Sequence, residues 1–306
     1  MNFSFLNNTT IIKDNGANDK IGDTINLSIN HTCAITCSLK KAQINNAFNN
    51  YSLRIVVGGT AEYKLNKRTY QISENQYMLT NAFQEGYGII DSKEDVVQFC
   101  IHFTPEIISD VFTSLNFRNN NIDFDCNSPK EKYIRLFENI FSLNSITPLS
   151  KYLHPFAHRV KNGQQMQLCE EALLEMAEVI VLNEMKIQEG LIGLKKIKLS
   201  TRHEIMRRLL RGKEYMDANF MKDPKISEVA QIAMMAEHFF FRNFKQAFNI
   251  SPYQYILSRK IEYARELILK NEQNIGQIAL FTGFSDIHTF SKAFKRQVGI
   301  SPSMIK

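Results

Sequence analysis

At 306 residues and 44% apolar side chains the chain is long enough for two domains with ordinary cores, and no collagenous, fibrous or disordered bias appears. The net charge of +6 is unevenly placed: residues 200–306 hold 17 Lys and Arg against 10 Asp and Glu, and the first 199 hold 20 against 21. A positive surplus confined to the last third is the electrostatic footprint of a polyanion partner, most simply nucleic acid, with an anionic membrane surface as the weaker alternative.

The start, MNFSFLNNTTIIKDNG, has no basic flank followed by an apolar core, and no run of about 18 apolar residues occurs, so the expectation is a soluble, cytoplasmic protein. Five scattered cysteines argue against a disulfide framework. Cys33 and Cys37 form a C-x3-C pair, but no second Cys or His pair follows at zinc-site spacing, so no metal is expected and small buried side chains are the plainer reading.

Residues 1–50 read as an irregular arm with a few edge strands. From Ser52 short β-branched and aromatic runs (SLRIVVGG, EYKL, RTYQI, QYMLT) are separated by Asn66-Lys67 and Ser73-Glu74-Asn75, the mark of antiparallel hairpins. In Val96–Phe103 the residues Val97, Phe99, Ile101 and Phe103 share one face. Four or five strands without intervening helices predict a small barrel or jelly roll.

Helices are expected from about residue 104. Thr104-Pro105 opens one carrying Ile107, Ile108, Val111, Phe112 and Leu115. Ser128-Pro129-Lys130-Glu131 reads as a capping box before Tyr133, Ile134, Phe137, Ile140 and Phe141. A third helix, about Gln164 to Glu189, carries a stripe of Leu168, Ala172, Met176, Val179, Ile180 and Asn183, to be buried either on its own barrel or in a helix-helix dimer seam. Residues 190–200, rich in Gly and Lys, read as a linker between a domain at 1–189 and another at 201–306. Thr201-Arg202-His203-Glu204 then reads as a capping box opening a helix through about Phe220.

The last third contains a repeat. Ile226–Pro252 (ISEVAQIAMMAEHFFFRNFKQAFNISP) returns as Ile275–Pro302 (IGQIALFTGFSDIHTFSKAFKRQVGISP): Ala230 matches Ala279, Met235 Phe284, Phe240 Phe290, Phe244 Phe294, Lys245 Lys295, and Ser251-Pro252 Ser301-Pro302. Each copy has helix-turn-helix grammar, at 226–248 and 275–297. Between them Tyr253–Asn271, capped by Ser251 and Gln254, reads as one helix about 28 Å long at 1.5 Å per residue. The major groove recurs about every 34 Å, so a rod of this length sets two recognition helices into successive turns.

These spaced positions resemble the AraC/XylS family of bacterial transcription regulators, and the tail IALFTGFSDIHTFSKAFKRQVGISP resembles the family signature almost position for position. The resemblance covers about one third of the chain. It implies sequence-specific binding to double-stranded DNA, promoter control through RNA polymerase, and a cupin-like barrel ahead of the repeat that senses an effector or makes a homodimer. The expected fold is therefore α+β: an N-terminal cupin-like β-barrel with helices, then an all-α C-terminal domain of two helix-turn-helix units joined by a long helix.

Within the first recognition helix Phe240, Phe244 and Phe248 recur at i+4 as core, which leaves His238, Phe241, Arg242 and Lys245 on the opposite stripe. Arg242 suits guanine O6 and N7, His238 a base edge, and Phe241 a thymine methyl. These positions match the family's base-contacting ones; for Arg242 a surface ion pair, and for Phe241 core packing, are the plain alternatives. In the second helix Ile287 and His288 occupy the base-reading positions, and Lys292, Lys295 and Arg296 suit phosphate. Gly276 and Ala236 stand where the family usually has a capping Ser, Asn249 where it has Gly, and Lys260 where it often has Arg.

The barrel region has only His31 and His102, too few for a metal-dependent cupin enzyme. Arg54, Tyr63, Tyr70, Tyr77, Gln98 and His102, with Cys100, are candidates to line an effector pocket; barrel packing with exposed polar ends is the alternative. No nucleophile elbow, phosphate-cradling loop or H-E-x-x-H occurs, so no enzyme and no cofactor are expected. Two readings stand: an activator responding to a small molecule in the barrel, or a ligand-independent regulator whose first domain dimerises or binds a protein.

Overall fold

The computed structural model describes residues 10–13, 23–26, 29, 31–45, 48–118, 134–145, 147–164, 168–194, 198–271 and 273–305. They form two units, divided between Gln188 and Glu189.

Among the described residues the first unit holds a nine-stranded sheet. Its axis is a pair of long antiparallel strands, β3 (Cys33–Asn45) and β8 (Gly86–Phe103), in register from Cys33 opposite His102 to Asn45 opposite Tyr87, with an irregularity between Leu39 and Lys41. On its other edge β8 pairs with two different strands. Its end meets β4 (Tyr51–Gly58) and its start meets β5 (Thr60–Leu65), which folds the sheet over a common interior. β5 turns into β6 (Arg68–Ser73) through Asn66 and Lys67, both at positive φ, as a two-residue hairpin turn requires. β7 (Gln76–Thr80) lies between β4 and β9 (Ile140–Ser142), and β1 (Thr10–Lys13) and β2 (Asp23–Asn26) run parallel to β3.

The cupin-like barrel expectation holds in architecture, with two corrections. Residues 33–45 are a central strand of 13 residues rather than part of an irregular arm. The face of β8 opposite Phe99, Ile101 and Phe103 is also buried, so Gln98, Cys100 and His102 point into the fold. The interior is filled by Leu39, Ile44, Phe48, Val56, Tyr63, Leu65, Ile72, Met78 and Val96.

Helix α1 (Pro105–Arg118) follows, burying Ile107, Ile108 and Leu115. The helix expected through residue 141 is absent where the chain is described. Residues 134–139 are irregular and lead into β9, because tertiary partners replace a helical ladder: Asn81 bonds both the N–H and the carbonyl of Leu136, and Glu184 accepts the N–H of Phe137 at 2.8 Å. The Ser128 box lies outside the described residues. Helix α2 (Pro148–Lys161), not expected from the sequence, is capped by Thr147, whose hydroxyl accepts the Ser150 N–H, with Pro148 at its first position. Helix α3 runs Glu170–Gly193, later than expected, and buries Leu173, Met176, Ala177, Ile180 and Val181 within the chain.

The second unit is helical. Of the expected linker, residues 195–197 lie outside the described residues; the start belongs to α3, which runs to Gly193, and the end to α4 (Leu199–Asn219). Its N-cap is Lys198, without a side-chain cap bond, so Thr201 lies inside the helix rather than capping it. Then come α5 (Ile226–Ile232), α6 (Glu237–Phe248), α7 (Pro252–Lys270), α8 (Ile275–Phe281) and α9 (Ile287–Val298). Gly212 sits mid-helix in α4 because a Cβ there would lie 2.6 Å from the ring of Phe240, the central residue of α6.

Asp217 ties α4 to α7. It is buried, accepts the Tyr255 hydroxyl at 2.6 Å, and lies 3.2 Å from Arg259 Nε and 3.4 Å from Lys213 Nζ. Further along α7 the Lys260 ammonium is buried and sits 2.7 Å from Asp223, beneath Gly283 in the turn between α8 and α9. Gly283 has φ +82°, and a Cβ would stand 2.8 Å from that ammonium. Gly283→Ala is therefore expected to destabilise the helical unit by on the order of 1 kcal/mol or more, read as a lower urea midpoint.

In the barrel unit, burial pushes the Glu184 carboxyl up to about 7, against the opposing pull of the Phe137 N–H and Gln188. The folded state thus holds this proton more tightly than the unfolded chain, whose carboxyl titrates near 4.5. The resulting stability is full at acid pH and is lost as pH rises through the folded value. The melting temperature should fall between about pH 5 and pH 8, and less so in Glu184→Gln; equal slopes for the two proteins would refute this.

Candidate nucleic-acid interface

The first helix-turn-helix is built by packing Phe240 and Phe244 of α6, both fully buried with ring centroids 5.5 Å apart, against α4, α5 and Tyr255 of α7. Phe248 packs on Phe244 at 4.6 Å and is half-buried. This core fixes the rotation of α6 and turns His238, Arg242 and Lys245 outward, all exposed. Arg242 leans over the exposed Phe239 ring, its Cζ 5.7 Å from the centroid. Phe241 is half-buried and stands 6.2 Å from the ring of Tyr253, itself well exposed at the start of α7. It belongs to an aromatic pair on the flank of the stripe rather than to its centre. The helix begins at Ala236, which provides no side-chain cap, and ends at Asn249 with φ 56°.

The second unit repeats this plan with Phe290 and Phe294, packed with Phe284, Ile278, Ala279, Ile261 and Ala264. His288, Lys292, Lys295 and Arg296 are exposed. Ile287 is separated from them: half exposed, it lines a hollow floored by Ile268, Ile275 and Ile305, at the lip of the unit's own core. The cap of α8 is not lost at Gly276. Asn274, two residues earlier, caps the helix in a reciprocal box with Gln277. Asp286 caps α9, and the backbone N–H of Thr289, then its hydroxyl, hold the Asp286 carboxyl down at about 2.

Both outer stripes are cationic and bare of carboxylates apart from Glu237 and Asp286 at the helix starts. The chemistry of Lys and Arg on such a surface suits phosphates, and that of Arg242, His238 and His288 suits base edges. Tyr253 escaped the sequence reading because its place in a capping box masked its exposure; its spacing from Phe241 crosses a turn.

Within the barrel the structure gathers four of the six candidates. Arg54, 2% exposed, has its guanidinium carbon 4.5 Å from the Phe48 ring centroid and 4.9 Å from that of Tyr63. The Tyr63 hydroxyl donates to Gln98 Oε1. Gln98 Nε2 and His102 Nε2 are buried with no hydrogen-bond partner among the described residues. Burial first, then the charges of Arg54 and His31, holds His102 down at about 3, hence neutral. Arg54, Gln98, Cys100 and His102 face a cavity of about 20 Å³, room for one water.

Tyr70 belongs to the interior cluster but donates to Glu138 and does not line this cavity. Tyr77 points to the other face of β7, stacked on Phe141 at 5.3 Å and near Ser150 of α2, and does not line this cavity. Among the described residues no three His, Cys, Asp or Glu side chains cluster as a metal site, and no helix is long and apolar enough to cross a membrane.

Comparison with known proteins matches two family models, an AraC-like ligand binding domain at residues 32–136 and a helix-turn-helix domain at 229–306. The chain is 30% identical over 142 residues to the thermoregulatory protein LcrF of Yersinia pestis, covering 44% of this chain and 52% of that protein. It is 31% identical over 96 residues to the virulence regulon transcriptional activator VirF of Yersinia enterocolitica, covering 31% and 35%. The chain thus spans about half or less of the length of these curated relatives. Against the crystal structure of ToxT from Vibrio cholerae the identity is 16%, over 89% of this chain and 96% of that one, with a TM-score of 0.32. With a barrel of the AraC-like ligand-binding type followed by a duplicated helix-turn-helix, the chain belongs to the AraC/XylS family of transcription regulators.

Proposed function

We propose that this protein is a sequence-specific DNA-binding transcription regulator, an activator that responds to a small-molecule effector in its barrel. The observation that carries the DNA half is the pair of exposed cationic stripes, on α6 and α9, presented by two repeated units joined by a 19-residue helix. Double-stranded DNA is the partner, contacted in two successive major-groove segments, with RNA polymerase a further partner in keeping with relatives named as transcriptional activators. Its place is the cytoplasm. Domain 1–189 senses and domain 201–306 binds DNA.

Support for the effector half is the convergence of Arg54, Gln98 and His102 on one buried spot, where amide and guanidinium donors suit an acceptor oxygen. A second reading is favoured by how full the barrel is: with about 20 Å³ free, the first domain serves as a homodimerisation or protein-binding module without a ligand. The molar mass of the full chain in solution, together with DNA affinity measured with and without the compounds handled by the neighbouring genes, separates the two.

The deciding experiment is selection from randomised duplexes with the full chain. Recovery of no preferred sequence would refute sequence-specific binding. Given a selected site, Arg242→Ala should flatten the preference at one base pair, losing about 1–3 kcal/mol of discrimination. Lys295→Ala should instead weaken all sequences alike and lower the salt slope by about 0.9. An unchanged preference profile for Arg242→Ala would remove it from the base-reading set.

A further inference from the structure

Each helix-turn-helix has one turn residue in the left-handed region, Met234 at φ 54° and Gly283 at φ 82°, and the two are 49 residues apart. A basic side chain from the helix before each unit reaches that turn, and these are also 49 residues apart: Arg211 of α4 and Lys260 of α7. The repeat therefore extends one helix upstream of the copies visible in the sequence.

The two cations have different fates. Lys260 is buried and spent on Asp223, which bolts the second unit to the chain entering the first. Arg211 is exposed, and its guanidinium Nη1 meets only the thioether of Met234, at 3.1 Å, a weak acceptor; it pairs with no carboxylate among the described residues. One turn earlier Arg208 donates from Nη1 to the Met234 carbonyl at 3.1 Å and from Nε to Glu204 at 3.0 Å, and Glu204 also lies 3.7 Å from Arg207. Arg208 and Arg207 thus share the Glu204 carboxylate, while Arg208 and Arg211 both reach Met234 in the turn.

The turn leads within three residues to the start of α6, the end of a recognition helix that meets the groove. Its N-cap is Ala236, which has no side-chain hydroxyl with which to cap the helix or meet a phosphate. Glu237, exposed in the same first turn, adds a negative charge there that a nearby cation must outweigh.

We propose that Arg211, with Arg208 beside it, binds a backbone phosphate of DNA at the edge of the first half-site. A planar guanidinium offers two parallel donors to a phosphate, a geometry that Lys does not reproduce. The contact stands in for the one that Ala236 cannot make, and gives the first unit an electrostatic anchor of its own. It carries no base information.

This proposal rests on the DNA-binding reading above. It is tested by titrating the full chain, and its Arg211→Ala, Arg208→Ala, double and Arg211→Glu variants, onto the selected duplex and onto scrambled duplexes across a range of potassium chloride concentrations. Each single alanine variant should lower the slope of log affinity against log salt by about 0.9, and the double by about twice that. The ranking of sequences should stay as in the wild type. Arg211→Glu should weaken binding further, with an unchanged melting temperature showing that the fold persists.

Wild-type affinity and slope in both Arg211→Ala and Arg211→Glu would overturn the proposal while leaving the regulator reading intact. A changed base ranking for Arg211→Ala would overturn it too, by making this residue a base reader. A wild-type chain that prefers no duplex would overturn both.

Discussion

Asp217 is the group on which the helical unit depends. A carboxylate taken out of water is costly, and it persists here because Tyr255, Arg259 and Lys213 surround it from two different helices. That requirement fixes how α4 crosses α7, and hence where the first recognition helix stands relative to the rod that leads to the second. Replacing Asp217 would remove at once the carboxylate that Tyr255, Arg259 and Lys213 share. Next to Arg259 on the same rod the charges are reversed: a buried Lys260 is held by the exposed carboxylate of Asp223.

Around these fixed charges the two helix-turn-helix units have diverged. Both keep paired phenylalanines in their recognition helices, because the angle between short helices is set by interlocking large side chains. Their outer faces are free to differ. The first presents His238 and Arg242 with an aromatic pair alongside; the second presents His288 with Lys292, Lys295 and Arg296, and its half-exposed Ile287 lines a hollow with Ile268, Ile275 and Ile305.

The barrel poses the opposite problem. Its interior is apolar and well filled, yet a guanidinium, an imidazole and an amide share one small space. Aromatic faces of Phe48 and Tyr63 take up the arginine charge, and burial keeps His102 neutral. Polar groups arranged this way give directional donors at low dielectric, where a single acceptor is held strongly.

What the sequence determined by itself is the repeat and its consequences. Spaced phenylalanines, Ser-Pro caps and the confined positive charge specify two helix-turn-helix units, the rod between them and the outward residues of α6, since helical period is a local property. Hairpin turns at Asn66-Lys67 were legible for the same reason. Tertiary structure decided the rest. Residues 134–142 are not helical because Asn81 and Glu184, distant in sequence, take the hydrogen bonds of Leu136 and Phe137 and β7 pairs with 140–142. Gln98 and His102 turned inward because β8 is covered on both faces, whereas Tyr77, on the opposite face of its strand from Met78, turned away. Ile287 came to line a hollow with Ile268, Ile275 and Ile305, and Arg211 approached the turn before α6, through contacts between segments distant in sequence. Period is written in the chain; which face a neighbour covers is settled only when the neighbour arrives.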